Sequence, residues 1–185
     1  MQVRSRIKGA GSTRGFVVGV SDSLILIHEV NGDTFSLNGY SVVRCEDVKD
    51  YRVFDKREYW QNRAIRRLKI APVALPEISL ASVPALLASI DERFSLTAFH
   101  PEQKRPDICY IGRLLTMTDK TVTIDDLDSN AEWSGPRRIK LNDITRIDFG
   151  SAYEEALAVV APKRPRRKTK RPNRLSGTVS ADGRG

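Results

Sequence analysis

Cysteine, histidine and methionine number two each in a chain of 185 residues, and aromatic side chains make up 7% of it. Each scarcity excludes something. Cys45 and Cys109 show no metal-ligand spacing and cannot build a disulfide framework, so reduced thiols within apolar strand patterns are expected. Neither His28 nor His100 has a serine or cysteine at a spacing that assigns it a nucleophile. Asp125, Asp126 and Asp128 lack the glycine and distal glutamate of a calcium loop. Gly9, Gly11 and Gly15 are not followed by the Gly-Lys-Ser/Thr of a phosphate-binding loop. The expectation is a chain that is not an enzyme and takes no cofactor and no metal. Apolar runs of membrane-spanning length are also missing, as is an apolar segment behind residues 1–6, which points to a cytoplasmic protein without a membrane partner.

Charge is plentiful, and its excess is confined to one stretch. Residues 162–185 hold nine Lys and Arg against one Asp, which accounts for the whole net charge of +8, while residues 1–161 carry 22 basic and 22 acidic side chains. Pro162, Pro165 and Pro172 interrupt this tail, and its composition offers too little apolar surface to offset the entropy of ordering, so a disordered segment is expected. Lys163, Arg164, Arg166, Arg167, Lys168, Lys170, Arg171 and Arg174 form a run suited to phosphates, because clustered cations gain affinity by releasing condensed counterions. A solubilising tail with no dedicated partner is the alternative reading of the same residues.

The body is a duplication. Gly15-Phe16-Val17-Val18-Gly19-Val20-Ser21-Asp22 aligns without a gap on Gly112-Arg113-Leu114-Leu115-Thr116-Met117-Thr118-Asp119, and residues 43–53 align on 139–149 with the register moved by one residue. Alternating apolar patterns predict strands over 2–8, 14–21, 24–27, 40–44 and 48–53, with Asn31-Gly32 as a type I′ hairpin turn. The second half repeats the pattern over 94–99, 108–117, 121–127, 137–141 and 144–149. Asp22 and Asp119 are expected to close their turns by bonding to backbone two residues on.

Apolar spacing predicts helices over 56–70, from 83 onward with Ser82 as cap, and over 153–160. The outer face of the first carries Arg63, Arg66 and Arg67, which reads either as a basic surface for nucleic acid or as a solvated face. The expected organisation is a first barrel with trailing helix over 1–70, a Pro-containing linker over 71–81, a packing helix and second barrel with helix over 82–161, and the tail over 162–185.

The Gly-x-apolar-apolar run and Leu37-Asn38-Gly39-Tyr40-Ser41-Val42 resemble the small five-stranded barrels of the Sm-like and SH3-like families. The resemblance implies two such barrels in tandem, mainly β with some α, each followed by a helix. In Sm proteins an arginine or lysine before the glycine meets RNA bases; here that position is Asn38. Residues 94–102, 109–113 and 143–157 are similar to segments of uncharacterised bacterial proteins, which implies a bacterial origin. Together these readings point to association with RNA or other nucleic acid through the tail and Arg63, Arg66 and Arg67. Tyr40, Tyr51 and Tyr110 are the candidates for base stacking. The alternative is a protein-interaction module with a solubilising tail, and the oligomeric state stays open.

Overall fold

The computed structural model describes residues 1–54 and 60–163. Within them lie ten strands and three helices: β1 (Gln2–Ser5), β2 (Ser12–Val20), β3 (Leu24–Asn31), β4 (Ser36–Arg44), β5 (Val48–Arg52), α1 (Trp60–Arg67), α2 (Val83–Asp91), β6 (Thr97–His100), β7 (Tyr110–Met117), β8 (Thr121–Leu127), β9 (Trp133–Lys140), β10 (Arg146–Phe149) and α3 (Ala152–Val160). The mainly β class with helices is met. The strands form one antiparallel sheet in the order β5-β1-β2-β3-β4-β10-β6-β7-β8-β9. Each half therefore uses the same strand order, fifth-first-second-third-fourth. The two halves share one open ladder, in which β10 bonds to β4 of the other half and no ladder among the described residues joins β4 to β5 or β9 to β10.

The duplication recurs in the backbone. A Cβ on Gly15 would collide with the carbonyl oxygen of His28, and one on Gly112 with that of Asp125, the aligned residue. Ladder irregularities fall at Val17/Gly19 and at Leu114/Thr116, again aligned. The turn between second and third strands is closed by Ser21 N–H to Leu24 O at 2.9 Å, and in the second half by Thr118 N–H to Thr121 O at 2.8 Å. Here the expectation for Asp22 and Asp119 is corrected. The preceding hydroxyls do the work: Ser21 Oγ accepts from Ser23 and Leu24 N–H, and Thr118 Oγ1 from Lys120 and Thr121 N–H.

The Asn-Gly hairpin is also longer than expected. Asn31 pairs with Ser36 across a four-residue loop, Phe35 takes the positive φ of 51°, and Asn31 Oδ1 accepts from Asp33 and Thr34 N–H. The side chain of Asn31 caps the loop, so Gly32 is not asked for a left-handed backbone.

One core spans both halves. Leu86, Leu87 and Ile90 of α2 are buried against Leu24, Leu26, Tyr40 and Val42 of the first half and Phe99, Val122, Ile124 and Phe149 of the second. Ser82 Oγ accepts from Ala85 N–H, and Pro84 stands in the first turn, where its missing N–H costs nothing. Burying three aliphatic side chains contributes about 1.5–3 kcal/mol each, which makes α2 the wedge that ties the halves together. The linker before it is pinned by a stacked His28–Tyr40 pair, ring centroids 4.2 Å apart: Tyr40 Oη donates to Val73 O and Val73 N–H donates to His28 Nδ1, both at 3.0 Å. No helix among the described residues is long and apolar enough to cross a membrane.

Candidate nucleic-acid interface

Helix α1, Trp60–Arg67, falls in the middle of its expected range of 56–70; residues 55–59 lie outside the described ones. It ends in a closed turn, with Ile70 N–H to Ile65 O and Lys69 N–H to Arg66 O both at 3.0 Å, and Lys69 at a φ of 56°. That pattern normally recruits glycine. None of the eight residues of α1 is buried, and Arg63, Arg66 and Arg67 are all exposed. Arg66 and Arg67 in the last turn also lie favourably against the helix dipole.

The tertiary fold adds cations that periodicity did not single out. Arg14 of β2 sits over the Phe54 ring at 4.9 Å and Arg52 of β5 at 5.8 Å. Arg14, Phe54 and Arg66 line a cleft of 210 Å³ beneath α1. Arg14 and Arg52 thus meet on one aromatic ring, with Arg66 on the same cleft, although Arg14 lies far from both in sequence. The sequence signal of Arg14 and Arg52 was their charge alone, which a balanced body hides.

The second half holds a groove of 370 Å³ beneath α3, lined by Leu96, Arg113, Trp133, Ala158 and Lys163. The Arg113 guanidinium lies 4.3 Å from the Trp133 ring centroid, and Trp133 Nε1–H donates to Pro162 O at 2.9 Å. That bond anchors the point from which the basic tail departs. Of the tail residues singled out by sequence, Lys163 is placed in this groove; Arg164, Arg166, Arg167, Lys168, Lys170, Arg171 and Arg174, and with them the expected disorder, lie outside the described residues.

The stacking candidates separate. Tyr40 is buried between His28 and Phe149 and is core. Tyr110 is covered by Arg137 at 4.3 Å. Tyr51 is exposed, and so is Trp60.

A buried polar cluster lies at the β4·β10 seam and was not foreseen. Ser41 Oγ donates to Asp148 Oδ1, His100 Nε2 lies 2.7 Å from Asp148 Oδ2, and Arg146 reaches Asp148 and Glu102, each at 3.2 Å. Burial alone would raise the Asp148 pKa, but the hydrogen bond and charge of His100, with Arg146 and Ser41, outweigh it and hold the carboxyl below its ordinary range. Burial beside Asp148 pushes Glu29 up to about 7 and Cys109 up to about 12. Asp148 stands between the serine and the imidazole, so the Ser41 hydroxyl meets a carboxylate of lowered pKa, a weak base, while the Cys109 thiol, 3.7 Å from His100, has its pKa raised. This arrangement holds the seam together.

The residues carrying the Sm resemblance serve the same seam. Gly39, at a φ of 74°, allows β4 to approach the backbone of Phe149 and Gly150, where a Cβ would clash. Asn38, at the position where Sm proteins present a base-contacting cation, accepts from Ala152 N–H at 3.2 Å and so caps the first turn of α3. No protein-family model, curated protein or solved structure matches the chain.

Proposed function

We propose that the chain is a non-enzymatic binding protein for RNA or other nucleic acid, built as two linked five-stranded units of Sm-like or SH3-like small-barrel type. The meeting of Arg14 and Arg52 on Phe54, with Arg66 lining the same cleft and Arg63 and Arg67 exposed on the same helix, is the observation that carries it. In a body with as many acidic as basic residues, such a gathering produces a local positive field that the net charge conceals. Exposed Trp60 supplies a face for stacking, and the tail, with eight cations from Lys163 to Arg174, supplies phosphate neutralisation. Recognition in this reading is of backbone charge with sequence-tolerant stacking, and Asn38 has no part in it.

Binding of a single-stranded oligonucleotide and of duplex DNA over a salt series tests this. Three proteins are compared: the full chain, a chain ending at Ala161, and the full chain with Arg63, Arg66 and Arg67 replaced by serine. Each lost phosphate contact flattens the slope of log K against log salt by about 0.7 on single strands and about 0.9 on duplex. The triple variant is expected to lose about 2 units of single-strand slope, and the truncated chain more. Unchanged slopes in both would remove the proposal and leave a protein-interaction module as the better account.

A further inference from the structure

The duplication allows a direct comparison of β5 with β10, because each is the fifth strand of its half. In β10, Ile147 is 3% exposed and Phe149 is fully buried, beside Val42 and Tyr40 of β4 and within the core that α2 and Phe94 cover. The aligned residues are Tyr51 in β5 and Val53 just beyond its end, at 66% and 68% exposed. Strand β5 pairs with β1 on one side, and its other edge carries no ladder among the described residues. Two apolar side chains thus stand in solvent where the equivalent pair is covered.

The opposite end of the sheet is defended. Strand β9 carries Pro136, which has no N–H to offer, beside Gly135 at a φ of 92°, and then Arg137, Arg138 and Lys140. If a second copy repeated the β4·β10 joint by laying β9 on β5, the Ser41·Asp148 pair would be replaced by Arg137 against Arg52. Like charges placed directly opposite are unfavourable. Strand β5, by contrast, is complementary to itself. An antiparallel pairing centred on Tyr51 sets Asp50, whose Oδ1 already holds Arg4 at 2.6 Å, opposite Arg52 of the other copy twice over, and Tyr51 against Tyr51.

We propose that two copies of this chain pair through β5, antiparallel about Tyr51, and so extend the two ten-stranded sheets into one. The contact is short, below the roughly 1,200 Å² of a standard stable interface, so the dimer forms in a concentration-dependent way.

Sedimentation of the full chain across a concentration series, without nucleic acid, is expected to show monomer and dimer in exchange. Arg52→Asp places two carboxylates opposite each other at both ends of the pairing and should weaken the dimer roughly tenfold or more, while the swap of both charges, Asp50→Arg with Arg52→Asp, restores it. Tyr51→Cys, made in a chain whose free Cys45 and exposed Cys109 are replaced by serine, should give a disulfide-linked dimer on mild oxidation, which the same cysteine-free chain with Tyr51 intact cannot. The crosslink is read on a side chain in solvent and so stands even if a charge variant folds poorly. A monomer at every concentration, or a dimer indifferent to Arg52→Asp and without the Tyr51→Cys crosslink, would overturn the proposal.

Discussion

Glu29 is the group through which pH should act on this fold. It lies near the β4·β10 seam, where burial, and next the negative charge of Asp148, raise its pKa from 4.5 to about 7 against the opposing effects of Arg146 and Ser41. An acid whose pKa is raised on folding stabilises the fold fully below its unfolded value and loses that contribution as pH rises through the folded one. The window is therefore about 4.5 to 7. At about 1.36 kcal/mol per unit the shift corresponds to about 3 kcal/mol, which screening of this partly exposed carboxyl reduces to about 2 kcal/mol. Glu29→Gln keeps the shape and the neutral state at every pH. Its stability should equal that of the parent at pH 4 and exceed it by about 2 kcal/mol at pH 8, or roughly 4–8 °C in melting temperature. His28 acts in the other direction, because burial lowers its pKa and the N–H of Val73 requires an unprotonated Nδ1, so its contribution is lost as pH falls. Both proteins share His28, and the difference between them isolates Glu29. Denaturant unfolding of the pair at several pH values reads it directly. A difference independent of pH, or a variant less stable at pH 8, would refute the reasoning.

Gly15→Ala and Gly112→Ala each drive a methyl group into a neighbouring strand's carbonyl, and both should cost about 3 kcal/mol or more, measured by denaturant unfolding; a mild effect at one alone would break the structural equivalence of the halves. Asn38→Ala removes the acceptor for Ala152 N–H and is expected to cost about 1 kcal/mol while leaving nucleic-acid binding unchanged in a titration. Lys69→Gly relieves a left-handed residue at the end of α1 and should raise stability by about 1 kcal/mol, seen as a higher melting temperature.

Much of the local structure was legible in the sequence because it rests on short-range chemistry. The gapless alignment of 15–22 on 112–119 reappears as matched glycine contacts, matched ladder irregularities and matched turns, and strand β8 falls on its expected residues. The turn-closing atom was misassigned, since Asp22 and its neighbour Ser21 carry equally good acceptors and only the backbone path selects one. What tertiary structure alone decided is how the halves join. Strand β10 could have closed on β9; it pairs with β4 because Gly39 admits the backbone of Gly150 and α2 buries Leu86, Leu87 and Ile90 against both halves at once. That choice buries Tyr40, turns Asn38 into a helix cap, gathers Glu29, Ser41, His100 and Asp148 at one seam, and leaves Tyr51 on an open edge. Such outcomes depend on contacts between residues a hundred positions apart, which local periodicity does not encode.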